Sequence, residues 1–349
     1  MKKLTLIIFF LFCSHLNATK VYDAFLFFNE IDLLKIRLTE LEDVVDYFVL
    51  VESKHTFSGK EKPSYYLKNR DQFKNYNKKI IHILLDNPPD SDYWQNEYFQ
   101  RNAIVQGLKN ADDNDIVICS DIDEIPRKDT VTKIKELYEN KQASLNDVFY
   151  LNLDYFVFKL NNFVEQPWMA SYITNIANVK SMPPQIIRQR TKKLHHYFVS
   201  NAGWHFSWMG SPEEALYKLK SFSHAKDSFV KDDQTMLNYF QKHNDLGFAG
   251  TPYRITTLEI NSKFPIYIQK HQDYFTSIGW IKPISKETIS LQPEQLLTPE
   301  RFSVISKYIY AKYHDKKIQT NYHLDLYHEI LRILSPSFKE GACLENRLF

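Results

Sequence analysis

The run from Ile116 to Pro126, Ile-Val-Ile-Cys-Ser-Asp-Ile-Asp-Glu-Ile-Pro, constrains the fold more than any other part of the chain. Its first half is apolar enough to be a buried strand, and it stops abruptly at three carboxylates, Asp121, Asp123 and Glu124. Side chains two apart on a strand point to one side, so Asp121 and Asp123 are expected to converge at the strand's carboxyl end. That edge is where open α/β sheets bind ligands. Clustered charge beside a buried strand is costly unless it is neutralised, and a hard divalent cation bridging to phosphate oxygens would neutralise it. The residues therefore suggest a metal–diphosphate site. An ordinary turn is the alternative, with Asp121 or Asp123 accepting backbone N–H groups and Pro126 starting the next helix.

The flanking pattern places this run in a sheet. Val21 to Phe28 reads as a first buried strand ending at Asn29-Glu30, and Leu33, Leu34, Ile36, Leu38 and Leu41 follow at helical spacing. Val44 to Val51 is a second strand ending at Glu52-Ser53, Lys79 to Leu85 a third, and Trp94 to Leu108 a helix. This alternation predicts an α/β sheet, mixed but mostly parallel, with flanking helices. Its ligand edge would collect Asn29, Glu52, Asp121 and Asp123. Asp129 to Asn140 should be helical, Val148 to Leu160 an aromatic strand or hairpin, and 161–202 irregular loops. A helix is expected from Ala215 to Ser221, and a helical C-terminal extension over 281–349, particularly Arg301 to Leu334.

Residues 1–18 read separately. Two lysines, an apolar run from Leu4 to Cys13 and a small residue at Ala18 match a secretory signal peptide or membrane anchor, too short to span a bilayer comfortably. Of the remaining cysteines, Cys119 lies inside the aspartate-bearing strand and Cys343 near the chain end, so no disulfide is expected to hold the fold. A net charge of +2 argues against a dedicated nucleic-acid binder. The 22 tyrosines and 25 phenylalanines suit stacking on sugars or bases as well as core packing.

Five blocks in order resemble a known family: Asp23 to Leu38; Val51-Glu52-Ser53 with Thr56-Phe57-Ser58-Gly59; Gln100-Arg101-Asn102; Ser120 to Pro126; and Gly203-Trp204-His205-Phe206-Ser207-Trp208. They look like glycosyltransferase family 17, which includes the β-1,4-mannosyl-glycoprotein N-acetylglucosaminyltransferases. The resemblance implies a GT-A type nucleotide-diphospho-sugar fold over about residues 19–280. It also implies a UDP-sugar donor, a glycan or glycoprotein acceptor, inversion at the anomeric carbon and a divalent metal, manganese or magnesium. Asp123 would be the direct metal ligand, Asp121 would lie nearer the ribose or a metal-bound water, and Glu124 would orient both. By the same analogy Gly203 and Trp204 would belong to a loop over the donor, Glu213 would be the catalytic base and His224 would complete the metal shell. His205 competes for that last role, and Asp154, Asp232 and Asp233 for the base. Asn29 and Glu52 would meet uridine and ribose, Arg101 a carboxylate or phosphate, and Trp204 and Trp208 a sugar ring.

Two other classes remain open at this point. Phosphohydrolases with an aspartate nucleophile also begin with an apolar strand and Asp-x-Asp, but usually continue with Gly and Thr where this chain has Glu124 and Ile125. A non-catalytic carbohydrate-binding protein is the other. A signal peptide would send the protein into a secretory pathway, where a UDP-sugar must be imported. An uncleaved tether facing the cytoplasm, with peripheral membrane association, would avoid that need.

Overall fold

The computed structural model describes residues 19–86, 89–226, 232–242 and 255–284. The N-terminal segment 1–18, Cys343 and the helix expected from Arg301 to Leu334 lie outside the described residues.

The first half is built of strands joined by helical crossovers. β1 (Val21–Phe27) leads into α1 (Ile31–Leu41) and β2 (Tyr47–Ser53); α2 (Tyr65–Asn69) precedes β3 (Ile80–Leu85); α3 (Tyr93–Asn102) precedes β4 (Ile116–Asp121). These strands pair in parallel in the order β3-β2-β1-β4. β1 is buried along its whole length, because it lies between β2 and β4 and is covered on both faces. Val21, Phe25 and Phe27 face one apolar cluster and Tyr22, Ala24 and Leu26 the other, the period-two division a pleated strand imposes.

The second half returns through shorter connections. The short β5 (Glu124–Pro126) follows β4 directly, α4 (Lys128–Glu139) covers the sheet, and β6 (Asp147–Val157) turns into β7 (Asn162–Trp168) and β8 (Tyr172–Asn175). α5 (Ile176–Ser181) and α6 (Pro184–Arg188) lead to β9 (His195–Ser207), α7 (Pro212–Ser221) and α8 (Asp233–Lys242). β10 (Ile255–Thr257), α9 (Ile266–Lys270) and α10 (Gln272–Ser277) complete the described elements.

Two sequence expectations change here. The sheet is mixed: β6 and β9 are parallel, but β4–β8, β6–β8, β6–β7, β5–β9 and β7–β10 are antiparallel. Short returns within 147–207 leave little chain for the crossovers that parallel pairing requires. The segment expected to be loops contains two strands, two helices and the start of a third strand. Its Asn and Pro residues start helices, with Asn175 accepting a hydrogen bond from the Asn178 N–H and Pro184 occupying the first turn of α6.

The sheet curls on itself. β4 pairs with β8, β8 with β6, β6 with β9 and β9 with β5, which is covalently joined to β4. Ile122 and Asp123 form the seam of that ring. Arg37 of α1, fully buried, fixes the seam from beneath. Its guanidinium pairs with Asp23 at 2.5 and 2.7 Å and donates to the backbone carbonyls of Asp121 at 3.0 Å and Glu124 at 2.8 Å. Among the described residues no helix is long and apolar enough to cross a membrane.

Candidate active site

A cavity of about 430 Å³ opens at the carboxyl ends of β1 and β4. Its floor is Leu26 to Phe28 and Asp121 to Asp123, and its walls come from α3, the segment after β2, the end of β9 and α7. Asp121 ends β4 and Asp123 sits in the turn before β5, so both reach the cavity although only one belongs to a strand.

Each carboxylate is held by cations. Asp121 accepts from Arg101 Nη1 at 2.6 Å through one oxygen and from Arg188 Nη2 at 2.7 Å through the other. Arg101 in turn donates to Glu97 at 2.9 Å, and Arg188 reaches both oxygens of Glu124 at 2.9 Å. Glu124 is fully buried. It also accepts from Trp168 Nε1 at 2.6 Å, Ser171 Oγ at 2.7 Å and the backbone N–H of Asp121 at 2.9 Å, so it orients Asp121 through two shared contacts. Burial alone would raise its pKa; the Arg188 guanidinium outweighs burial and holds the carboxyl far below its usual range. For Asp123 burial prevails and pushes the pKa up, although Lys218 Nζ lies 3.1 Å from Oδ2 and His205 Nε2 3.7 Å from Oδ1. Lys218 also reaches Glu30 at 3.2 Å.

His205 stacks between Tyr155 and Trp168, with ring centroids 4.9 and 4.2 Å away, and all three line the cavity. Burial lowers its pKa and favours the neutral ring, and Nδ1 has no hydrogen-bond partner.

Other expected residues are distributed unevenly. Arg101, Trp208 and His224 line the cavity. His224 packs its ring against Trp94 and Phe222 at 4.6 and 5.1 Å. Among the described residues no three His, Cys, Asp or Glu side chains form a metal-ligating group, so His224 does not join Asp121 and Asp123 in one. Glu52 is fully buried and outside the cavity lining; Ser64 Oγ, the Tyr65 N–H, Lys62 and His82 occupy its oxygens. It anchors the chain around Lys62 to Tyr66 instead of facing a nucleoside. Asn29 lies outside the lining too, its N–H donating to the Glu30 carboxylate, and it is Glu30 that reaches the cavity.

Gly203 and Trp204 belong to β9 and form no donor loop. A Cβ on Gly203 would lie 2.2 Å from the Ile125 carbonyl oxygen, so the glycine permits the β5–β9 approach. Trp204 is buried in the core with Arg127 over its ring. Glu213 is exposed in the first turn of α7, outside the cavity lining, beside a Ser211–Glu214 capping box. Asp154 pairs with Arg127, Asp233 with Lys220, and Asp232 caps Thr235; none lines the cavity.

Six site residues escaped the sequence reading: Glu30, Glu97, Tyr155, Trp168, Arg188 and Lys218. Glu30 was visible as the charge ending β1. Arg188 lay in a segment with no local signal, and only the curl of the sheet brings it to Asp121.

The sequence profile of Glycosyltransferase family 17 matches residues 11–245. The chain belongs to that family. Three relatives named beta-1,4-mannosyl-glycoprotein 4-beta-N-acetylglucosaminyltransferase, from Rattus norvegicus, Homo sapiens and Mus musculus, are each 28% identical over 289 residues. The match covers 71% of this family 17 chain and 52% of each relative, so it spans about half their length. A solved structure of mannose-6-phosphate isomerase from Helicobacter pylori aligns with a TM-score of 0.26 at 12% identity, over 48% of this chain and 77% of that one. Membership of family 17 leaves the phosphohydrolase alternative without support.

Proposed function

We propose that this chain is an inverting glycosyltransferase that moves N-acetylglucosamine from a UDP-sugar to a hydroxyl of a glycan or glycoprotein. The observation that carries the proposal is the placement of Asp121 and Asp123 together at one end of a cavity walled by cations and aromatic rings. The relatives' names support the sugar and the acceptor class. The parallel order β3-β2-β1-β4, followed by an antiparallel neighbour, supports a GT-A type arrangement.

A divalent metal fits the donor chemistry. Five carboxylates, Glu30, Glu97, Asp121, Asp123 and Glu124, meet three cationic side chains, Arg101, Arg188 and Lys218, leaving negative charge in excess when all are ionised. A protein needs to supply only one or two carboxylates to a magnesium-like ion when substrate phosphates complete its shell. Asp123 would be the ligand, because the two oxygens of Asp121 are already shared between arginines. When bound, the metal would stabilise charge on the departing diphosphate.

The protein's own groups do the rest. Arg101 and Arg188 hold Asp121 rigid, and Lys218 meets anionic charge from α7. Tyr155, His205 and Trp168 present ring faces and edges to a sugar, which stacks on aromatics through its C–H face. Seating the reacting carbon in this cavity would favour transfer to the acceptor over hydrolysis. The acceptor oxygen would attack the anomeric carbon opposite the diphosphate, whose C–O bond breaks to release UDP, while a general base takes the hydroxyl proton; this inverts the anomeric centre. Residues 1–18, read as a signal peptide, support delivery to the secretory pathway.

UDP release measured with manganese and a panel of UDP-sugars tests the donor. UDP-N-acetylglucosamine should give the fastest release with a glycopeptide acceptor present; faster release from another UDP-sugar would reassign the donor.

A further inference from the structure

Resting on the metal reading above, we propose that Lys218 is a tethered cation that occupies the Glu30–Asp123 carboxylate pair until a divalent ion displaces it, and that its release couples metal binding to diphosphate binding. Lys218 stands on α7, and its ammonium bridges carboxylates from two other elements, 3.2 Å from Glu30 after β1 and 3.1 Å from Asp123 after β4. Those carboxylate side chains are only 12% and 9% exposed, so without a cation between them they would face each other as uncompensated buried charges. Either a cation sits there or one of the pair takes up a proton.

The neighbouring cations are unsuited to exchange. Arg101 and Arg188 side chains are 3% and 13% exposed, and each guanidinium forks between two carboxylates. Lys218 is the most exposed of the three at 21%, and its ammonium is a point charge on a flexible four-carbon stem. The pocket it would leave stays formed. Glu30 Oε2 accepts the backbone N–H groups of Phe28 and Asn29, and Asp123 is held in the turn between β4 and β5, its carbonyl accepting the Phe206 N–H. Lys218 Nζ already lies 5.9 Å from the Trp208 ring centroid on the cavity wall, a neighbour the ammonium can keep when it leaves the carboxylates, and an incoming diphosphate would offer it anionic oxygens. Metal binding then frees a cation for the nucleotide, and nucleotide binding removes the metal's competitor; such coupling is reciprocal.

Manganese titration of the full chain by electron paramagnetic resonance, with and without UDP, tests this. Without UDP, Lys218→Met should bind manganese about tenfold more tightly than wild type, within the 5–150-fold range usual for coupled sites. UDP should tighten manganese binding more in wild type than in the variant. Equal or weaker nucleotide-free binding by a variant that melts cooperatively would overturn the proposal. Lys218→Gln, which removes the charge but keeps a polar donor on a shorter stem, should shift the same way and serves if the Met variant does not fold. Adding Asp123→Asn to Lys218→Met should remove the gained affinity, and its persistence would place the ion elsewhere and refute the exchange. Failure of wild type to take up manganese even with UDP would instead refute the metal reading itself.

Discussion

Glu124 shows how a single carboxylate can be visible in the sequence while its role is not. The cluster Asp121, Asp123 and Glu124 announced a charged strand end, and Glu124 orienting Asp121 and Asp123 was one of the expectations. Its main partner, Arg188, lies 64 positions away, and nothing in the spacing of either residue connects them. The pairing has a consequence for pH. Burial raises the Glu124 pKa, but Arg188 more than offsets this and holds it below its ordinary 4.5. A carboxylate depressed on folding stabilises the fold above its unfolded pKa and loses that contribution as pH falls toward the folded value. Denaturant midpoints should therefore decline as pH drops below about 4.5. Glu124→Gln, though less stable near neutrality because Arg188 then loses one of its two carboxylate partners, should show a shallower decline. Parallel decline in the two proteins would show that Glu124 does not contribute to acid sensitivity.

β9 and α7 carry the main corrections. The Gly203-Trp204-His205 block was informative about the site but not about its form, since alternation along a strand divides it: His205 faces the cavity while Trp204 joins the core. Gly203 is required by the close passage of β5. Gly203→Ala should destabilise the chain by about 1–3 kcal/mol or more, as overpacking does, read as a lower denaturant midpoint; an unchanged midpoint would mean the two strands separate easily. On α7, helix position separates two charges. Glu213 lies exposed in the first turn, whereas Lys218, five residues on, reaches the cavity. Glu213→Gln should leave turnover and stability within about twofold, as exposed substitutions usually do. A large loss of turnover with UDP binding retained would return the base to Glu213. The first four strands were legible because long buried runs alternate with helical spacing. The elements of 161–202 were not, because they are short and their identity comes from partners contributed by β4, β6 and β9.

The sheet as a closed curl explains why a short Asp-x-Asp segment becomes a site. β4 and β5 are consecutive in sequence yet lie at opposite ends of the ring of pairings through β8, β6 and β9. Asp121 and Asp123 sit where the ring closes, with Arg37 beneath and the cavity above. Parallel pairing in the first half was expected from the alternation of strands and helices, though the sheet as a whole is mixed, and the five ordered blocks led to the correct family. The curl was not readable, because it depends on contacts between segments far apart in the chain. Function at this level reduces to whether Asp123 supports sugar transfer. The decisive measurement is manganese-dependent UDP release from UDP-N-acetylglucosamine with a glycopeptide acceptor, comparing wild type with Asp123→Ala at matched thermal stability. Wild type should turn over, and the variant should lose at least about a hundredfold in rate, as expected when several kcal/mol of charge stabilisation is removed. Undiminished metal-dependent transfer by the folded variant would contradict the account.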